Sequence, residues 1–113
     1  MTRPNRLRRY ADILRVRRRG SRIETAHVVM LVVPGGGRVS RSVVSVARKF
    51  GSAVKRNRLR RQLTELLRIE LPYLERSVDI VVFPRWSAVD ASFTQLRGSI
   101  KEALSQMDVG ARV

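Results

Sequence analysis

The chain has 113 residues, of which 43% are hydrophobic and 29% charged, a balance that supports one folded domain over residues 1–113 and excludes a disordered basic tail. Lys and Arg number 24 against 9 Asp and Glu, a net charge of +15, so the field around so small a body calls for a polyanionic partner. The absence of cysteine removes disulfide and thiolate chemistry, and no apolar run approaches the roughly 18 residues that span a bilayer, so a cytoplasmic protein is expected.

The opening stretch, MTRPNRLRRYADILRVRRRG, is Arg-rich but has no secretory h-region, and it reads as structure rather than as a targeting segment. Leu7, Tyr10, Ala11, Ile13 and Leu14 recur at helical spacing, with Gly20 after Arg17, Arg18 and Arg19 as the stop. Ile23 to Val33 is rich in Val, Leu and Met without that period and ends at Pro34 and the run Gly35, Gly36, Gly37, which predicts a buried strand and a turn. Val39 to Ala47 resumes with Val43, Val44 and Val46, and the simplest pairing is a β-hairpin around the glycines. An extra short strand fits near Ile23. From Ala53 to about Leu71 the period changes: Leu59, Leu63, Leu66 and Leu67 share one face of the longest helix, and Pro72 follows it. Ser77 to Phe83 reads as a strand closed by Pro84. Ser92 and Gln95 form a capping-box pair ahead of a last helix striped by Leu96, Ile100, Ala103, Leu104 and Met107. The expected class is α+β, a small sheet packed with helices, with a surface site rather than an internal cavity.

No catalytic constellation emerges. The single histidine, His27, lies in the apolar stretch AHVVML, where a strand residue on the sheet surface is expected. The carboxylates Asp12, Glu24, Glu65, Glu70, Glu75, Asp79, Asp90, Glu102 and Asp108 are scattered, without metal-ligand or acid/base spacing, and are expected to be solvated partners of the arginine excess. No G-x-S-x-G turn, P-loop or dinucleotide fingerprint is present. The expectation is therefore no protein catalytic residue and no metal ligands; any chemistry comes from a partner.

The informative stretch is KFGSAVKRNRLRRQ, Lys49 to Gln62, with six Lys or Arg in fourteen residues. It sets Lys55, Arg56 and Arg58 at the positive end of a helix macrodipole, where cations are least favoured. Asn57, Arg58, Arg61, Arg68 and Val54 point away from the leucine seam, Arg60 and Lys55 flank it, and Arg48 and Lys49 lie in the approach. Arginine makes bidentate contacts with phosphate, and a helix N-terminus offers backbone N–H groups to the same ligand. A bound phosphate backbone turns the unfavourable charge into a favourable one. An anionic membrane is the weaker candidate, because only six residues are aromatic and none is expected to cluster with the basic run. Composition does not separate RNA from DNA.

Ser45 to Arg68, SVARKFGSAVKRNRLRRQLTELLR, resembles the signature of the bacterial ribonuclease P protein component family, in which a basic turn, a G-x-A-V step and an R-N-R core open the central helix. Arg56, Asn57 and Arg58 are that core. NRLRRYADILRVRRRG resembles the family's opening segment and first helix, SVDIVVFPR its last strand and SFTQLRGSIKEAL its closing helix. The resemblance implies an α-β-β-β-α-β-α order with a left-handed β-α-β crossover. It also implies partnership with a catalytic RNA that, with Mg²⁺ ions, removes the 5′ leader of precursor tRNA; neither a membrane nor DNA is expected as a partner. Carried over residue by residue, it assigns Arg48, Lys49, Lys55, Arg56, Asn57, Arg58, Arg60 and Arg61 to the catalytic RNA, and Ile13, Arg17, Met30 and Leu31 to a cleft for the single-stranded leader. This chain departs from the family in having Ile13 and Arg17 where relatives place aromatic residues, and Val43 where an Arg-x-Gly step is usual. The runner-up is a structural RNA-binding module of the ribosomal type; an architectural DNA-binding protein ranks last, because Asn57 is the one obvious base reader on the basic face.

Overall fold

The computed structural model describes residues 6–37 and 39–112; the readings of residues 1–5 and of the Asp108 carboxylate lie outside the described positions. The chain runs α1 (Tyr10–Arg19), β1 (Ser21–Glu24), β2 (Val28–Pro34), β3 (Arg41–Val44), α2 (Ala53–Glu70), β4 (Val78–Pro84) and α3 (Phe93–Arg112), with 3-10 turns at Arg48–Phe50, Leu71–Tyr73 and Trp86–Asp90. The class and order are those expected.

The strands form one sheet in the order β1-β2-β4-β3. β2 and β4 are seven residues each and largely buried on both faces, so they take the centre, while the four-residue β1 and β3 lie at the edges. This overturns the hairpin expected around the glycines. β2 pairs antiparallel with β1 through the turn at Thr25–His27 and with β4 on its other side, and β3 pairs in parallel with β4, its outer edge bridged by Arg6 at Ser42. The reason is a non-local clamp. Gly35 N–H donates to the Ser77 carbonyl at 2.9 Å, the Ser77 hydroxyl donates to the Gly37 carbonyl at 2.7 Å, and Val78 N–H donates to the Ser40 hydroxyl at 3.1 Å. A Cβ on Gly35 would stand 2.9 Å from Ser77 Oγ and 3.0 Å from its carbonyl carbon, so the loop seats against the start of β4 and carries the chain past it. His27 is corrected too: it sits in the β1–β2 turn rather than on a strand.

Strand alternation divides the sheet into two differently covered faces. Val28, Met30, Val32, Val44, Val78, Ile80 and Val82 pack with the four leucines of α2 and with Leu96, Ile100, Ala103, Leu104 and Met107 of α3. Each fully buried leucine contributes about 2 kcal/mol of transfer free energy. The opposite face carries Val33 and Val81, covered by Val16 of α1 and by Leu7, with Ile13, Leu31, Val43 and Phe83 half-buried around them. Leu7 precedes the helix and is tied in by its N–H to the Ser42 carbonyl at 2.9 Å. The parallel pair β3–β4 is joined through α2, which lies across the fully covered face and so holds the basic segment on a rigid base. α3 begins with the capping box expected: Gln95 N–H donates to Ser92 Oγ at 3.1 Å, and Ser92 N–H to Gln95 Oε1 at 2.8 Å.

One carboxylate belongs to the fold rather than to the solvent. Asp79, on β4, is completely buried, against the expectation of a solvated partner. Its Oδ2 accepts from Arg15 of α1 at 2.8 Å and from Arg41 Nη2 of β3 at 2.8 Å, and its Oδ1 accepts from Arg41 Nε at 3.1 Å. Asp12 adds a 3.5 Å ion pair to Arg41. The hydrogen bonds to Asp79 raise the Arg41 pKa above its ordinary value. Glu70 is likewise buried and accepts from Arg97 Nε at 3.2 Å.

Candidate nucleic-acid interface

The start of α2 is built by a turn that only glycine makes without strain. Gly51 has φ of 123°, the one positive φ among the described residues, a conformation a side chain opposes. It reverses the chain between the 3-10 turn bearing Arg48 and Lys49 and the helix bearing Lys55 to Arg61. Ser52 then caps α2, its hydroxyl accepting from Lys55 N–H at 3.3 Å. The result is two short basic segments meeting at one helix end.

Arg48, Lys49, Lys55, Asn57, Arg58 and Arg61 are exposed, and Arg56 and Arg60 are half-buried. The structure therefore brings all eight residues assigned to the basic surface onto α2 and its approach. Local bonds orient two of them: Arg56 Nε donates to the Gly51 carbonyl at 3.2 Å, and Arg60 Nη1 donates to Asn57 Oδ1 at 2.5 Å. Asn57 thus serves in part to aim Arg60. Among the described residues no carboxylate forms an ion pair with any of the seven cations, and the first turn of α2 holds no acidic residue. Farther along the same helix the charge is neutralised: Glu65 and Arg68 pair at 2.5 Å, an interaction that lowers the Glu65 pKa and raises that of Arg68. The unneutralised strip and its preorganised donors at the positive end of a helix together suit a chain of phosphates.

The second expected site divides. Ile13, Arg17 and Leu31 lie on the α1 face of the sheet, Ile13 and Leu31 half-buried beside Val43 and Phe83. Met30 does not join them. It is fully buried in the opposite core, because adjacent strand residues point to opposite faces. The aromatic surface that sequence reasoning missed is Phe83: the Arg17 guanidinium stands 5.4 Å from its ring centroid, within cation–π range. Register would have found it, since Phe83 pairs with Val29, two residues from Leu31 on the same face. The face is a shallow apolar floor with a cationic lip, suited to unstacked bases. A separate cavity of about 370 Å³ lies between α2 and the β3 edge, and its walls share only Arg60 with the residues assigned from the sequence.

The described residues do not fit a resident magnesium site. No group of three or more His, Asp or Glu converges among them, and the two carboxylates that share a partner, Asp12 and Asp79, are both engaged by Arg41.

Comparison with known proteins agrees in sequence and in fold. The family model described as Ribonuclease P matches residues 1–108. The ribonuclease P protein component of Chloroflexus aurantiacus is 38% identical over 107 residues, covering 94% of this chain and 79% of that one. That of Desulfatibacillum aliphaticivorans is 32% identical over 111 residues, covering 98% and 94%. Among solved structures, the ribonuclease P protein of Thermotoga maritima superposes with a TM-score of 0.81 at 30% identity, covering 89% of this chain and 96% of that one.

Proposed function

The chain belongs to the bacterial ribonuclease P protein family, and from that premise we propose that it docks on the catalytic RNA of ribonuclease P through the start of α2 and guides the 5′ leader of precursor tRNA across the half-open face of its sheet. The observation that carries this reading is the unpaired cation strip at a helix N-terminus, which is costly in the isolated protein and favourable only against a polyanion. Arg48, Lys49, Lys55, Arg56, Arg58, Arg60 and Arg61 meet phosphates, and Asn57 orients Arg60. Ile13, Arg17, Leu31 and Phe83 receive the leader; Met30 supports them from the core side of β2.

The protein's share of the reaction is positional. Fixing the leader relative to the RNA removes orientational freedom that cleavage otherwise has to overcome, and cations at the junction reduce phosphate repulsion, so less Mg²⁺ is required. The Mg²⁺ ions of the reaction are assigned to the RNA, and no step is routed through a protein ligand. The holoenzyme works in the cytoplasm; no described helix is long and apolar enough to cross a membrane.

The test is cleavage of precursor tRNA by the cognate catalytic RNA at low Mg²⁺ and moderate salt, with and without the protein. Restored processing at the mature 5′ end is expected, and Phe83→Ala is expected to weaken binding of leader-bearing tRNA by about tenfold while leaving leaderless tRNA unaffected. Unchanged cleavage in the presence of bound protein would replace this reading with that of a structural RNA-binding module.

A further inference from the structure

Trp86, the chain's single tryptophan, follows β4 and is 64% exposed. A lone exposed apolar residue is ordinary, but this one is built into a support. Its ring lies 5.3 Å from that of Phe50, tilted by 44°, and Phe50 is only 7% exposed. Phe50 belongs to the 3-10 turn that carries Arg48 and Lys49, and Lys49 Nζ stands 5.8 Å from the Phe50 centroid. An aromatic pair therefore adjoins the basic approach to α2, where the sequence suggested none.

The segment that presents Trp86 is fastened on both sides of it. Arg85 N–H donates to the His27 carbonyl at 2.8 Å, and the Arg85 guanidinium donates to the Thr25 carbonyl at 2.7 Å. The Ser87 hydroxyl donates to the Ala26 carbonyl at 2.8 Å, so its remaining contact with His27 Nδ1, at 2.9 Å, has the imidazole N–H as donor. His27 N–H in turn donates to Ser99 Oγ of α3 at 3.0 Å. An indole held this way loses little conformational freedom when something stacks on it.

We propose that Trp86 is a stacking platform for one unpaired nucleobase of the RNA whose phosphates meet Arg48 and Lys49. The inference rests on the RNA-binding reading above and adds to it a contact that does not depend on charge. A flat indole accepts any base on its face, and neighbouring cations hold the backbone on either side of that base. The site is separate from the Phe83 floor: Phe83 lies on the α1 face of the sheet, whereas Trp86 packs on Phe50, a residue of the α2–α3 core.

The single tryptophan makes the test direct. Its intrinsic fluorescence is titrated with the cognate catalytic RNA, with precursor tRNA, with the same tRNA lacking its leader, and with a blunt RNA duplex. Quenching by the catalytic RNA is expected, with none from the leader; quenching by precursor but not leaderless tRNA, without quenching by the catalytic RNA, overturns the assignment of the base to the RNA that meets Arg48 and Lys49. Trp86→Ala should weaken binding of that RNA about tenfold at every salt concentration without changing the salt slope, Trp86→Phe should retain most of the affinity, and the melting temperature of both free variants should stay near that of the parent. Equal quenching by the blunt duplex, or parental affinity in Trp86→Ala, overturns the proposal. Failure of the unmodified protein to bind either RNA would bring down the ribonuclease P reading and this one with it.

Discussion

α1 and α2 are both rich in arginine, and they arrange their charge along the helix in opposite senses. α1 has Asp12 in its first turn and Arg17, Arg18 and Arg19 in its last, the order the macrodipole favours. α2 starts with Lys55 and Arg56 and no acid, and acquires a pairing glutamate only at Glu65. The partners differ as well: Arg15 of α1 reaches a buried carboxylate shared with Arg41, whereas the cations opening α2 have no acidic partner among the described residues. The same side chain thus serves the fold at Arg15 of one helix and stands without an acidic partner at the start of the other. The difference lies in where carboxylates are supplied, not in the number of arginines.

The contrast breaks most visibly at Asp79. Asp79→Ala leaves Arg15 and Arg41 facing each other without their shared acceptor and is expected to cost about 3 kcal/mol, near the low end for breaking a buried pair because both arginines keep about a third of their side-chain exposure. A urea melt measures it, and a loss well below 1 kcal/mol would show that the cluster does little for the fold. Arg56→Ala/Arg58→Ala is expected to leave stability unchanged or to raise it by up to about 1 kcal/mol, since it removes cations from the positive end of a helix; clear destabilisation would make those residues structural. The smallest effect concerns acid. Arg22 and Arg85 lower the Glu24 pKa, and Arg68 lowers that of Glu65, each from an ordinary 4.5. The stability these glutamates contribute is present above that value and fades as pH falls through their depressed folded values. Glu24→Gln/Glu65→Gln should therefore be slightly less stable than the parent above that value, with the two stability-versus-pH profiles converging as pH falls through the depressed values.

What could be read from the sequence followed from local periodicity. The leucines of α2, the glycine and proline stops and the Ser92–Gln95 box are each settled by neighbours within a few residues, and the R-N-R strip was visible because it violates the dipole rule on its own helix. The misread features depend on distant segments. VVMLVV has no polar alternation to mark its faces, so Met30 and Leu31 were grouped although the pleat separates them. The glycine run looked like a hairpin because its partners, Ser77 and Val78, lie some forty positions away. Asp79 looked solvated because the guanidiniums that bury it come from α1 and β3. Trp86 and Phe50 are distant in sequence and adjacent only once β4 lies in the sheet.

The central claim is that location, not net charge, makes the start of α2 the docking surface. The most direct measurement compares the salt dependence of catalytic-RNA binding for the parent, for Arg56→Ala/Arg58→Ala and for a charge-matched control at two exposed cations outside α2, Arg76→Ala/Lys101→Ala. The account predicts that the α2 variant loses affinity and lowers the slope of log K against log salt by about 1.5 to 2, while the control variant stays close to the parent in both. Equal losses from the two variants would contradict it, and would reduce the strip to one part of a diffuse positive field.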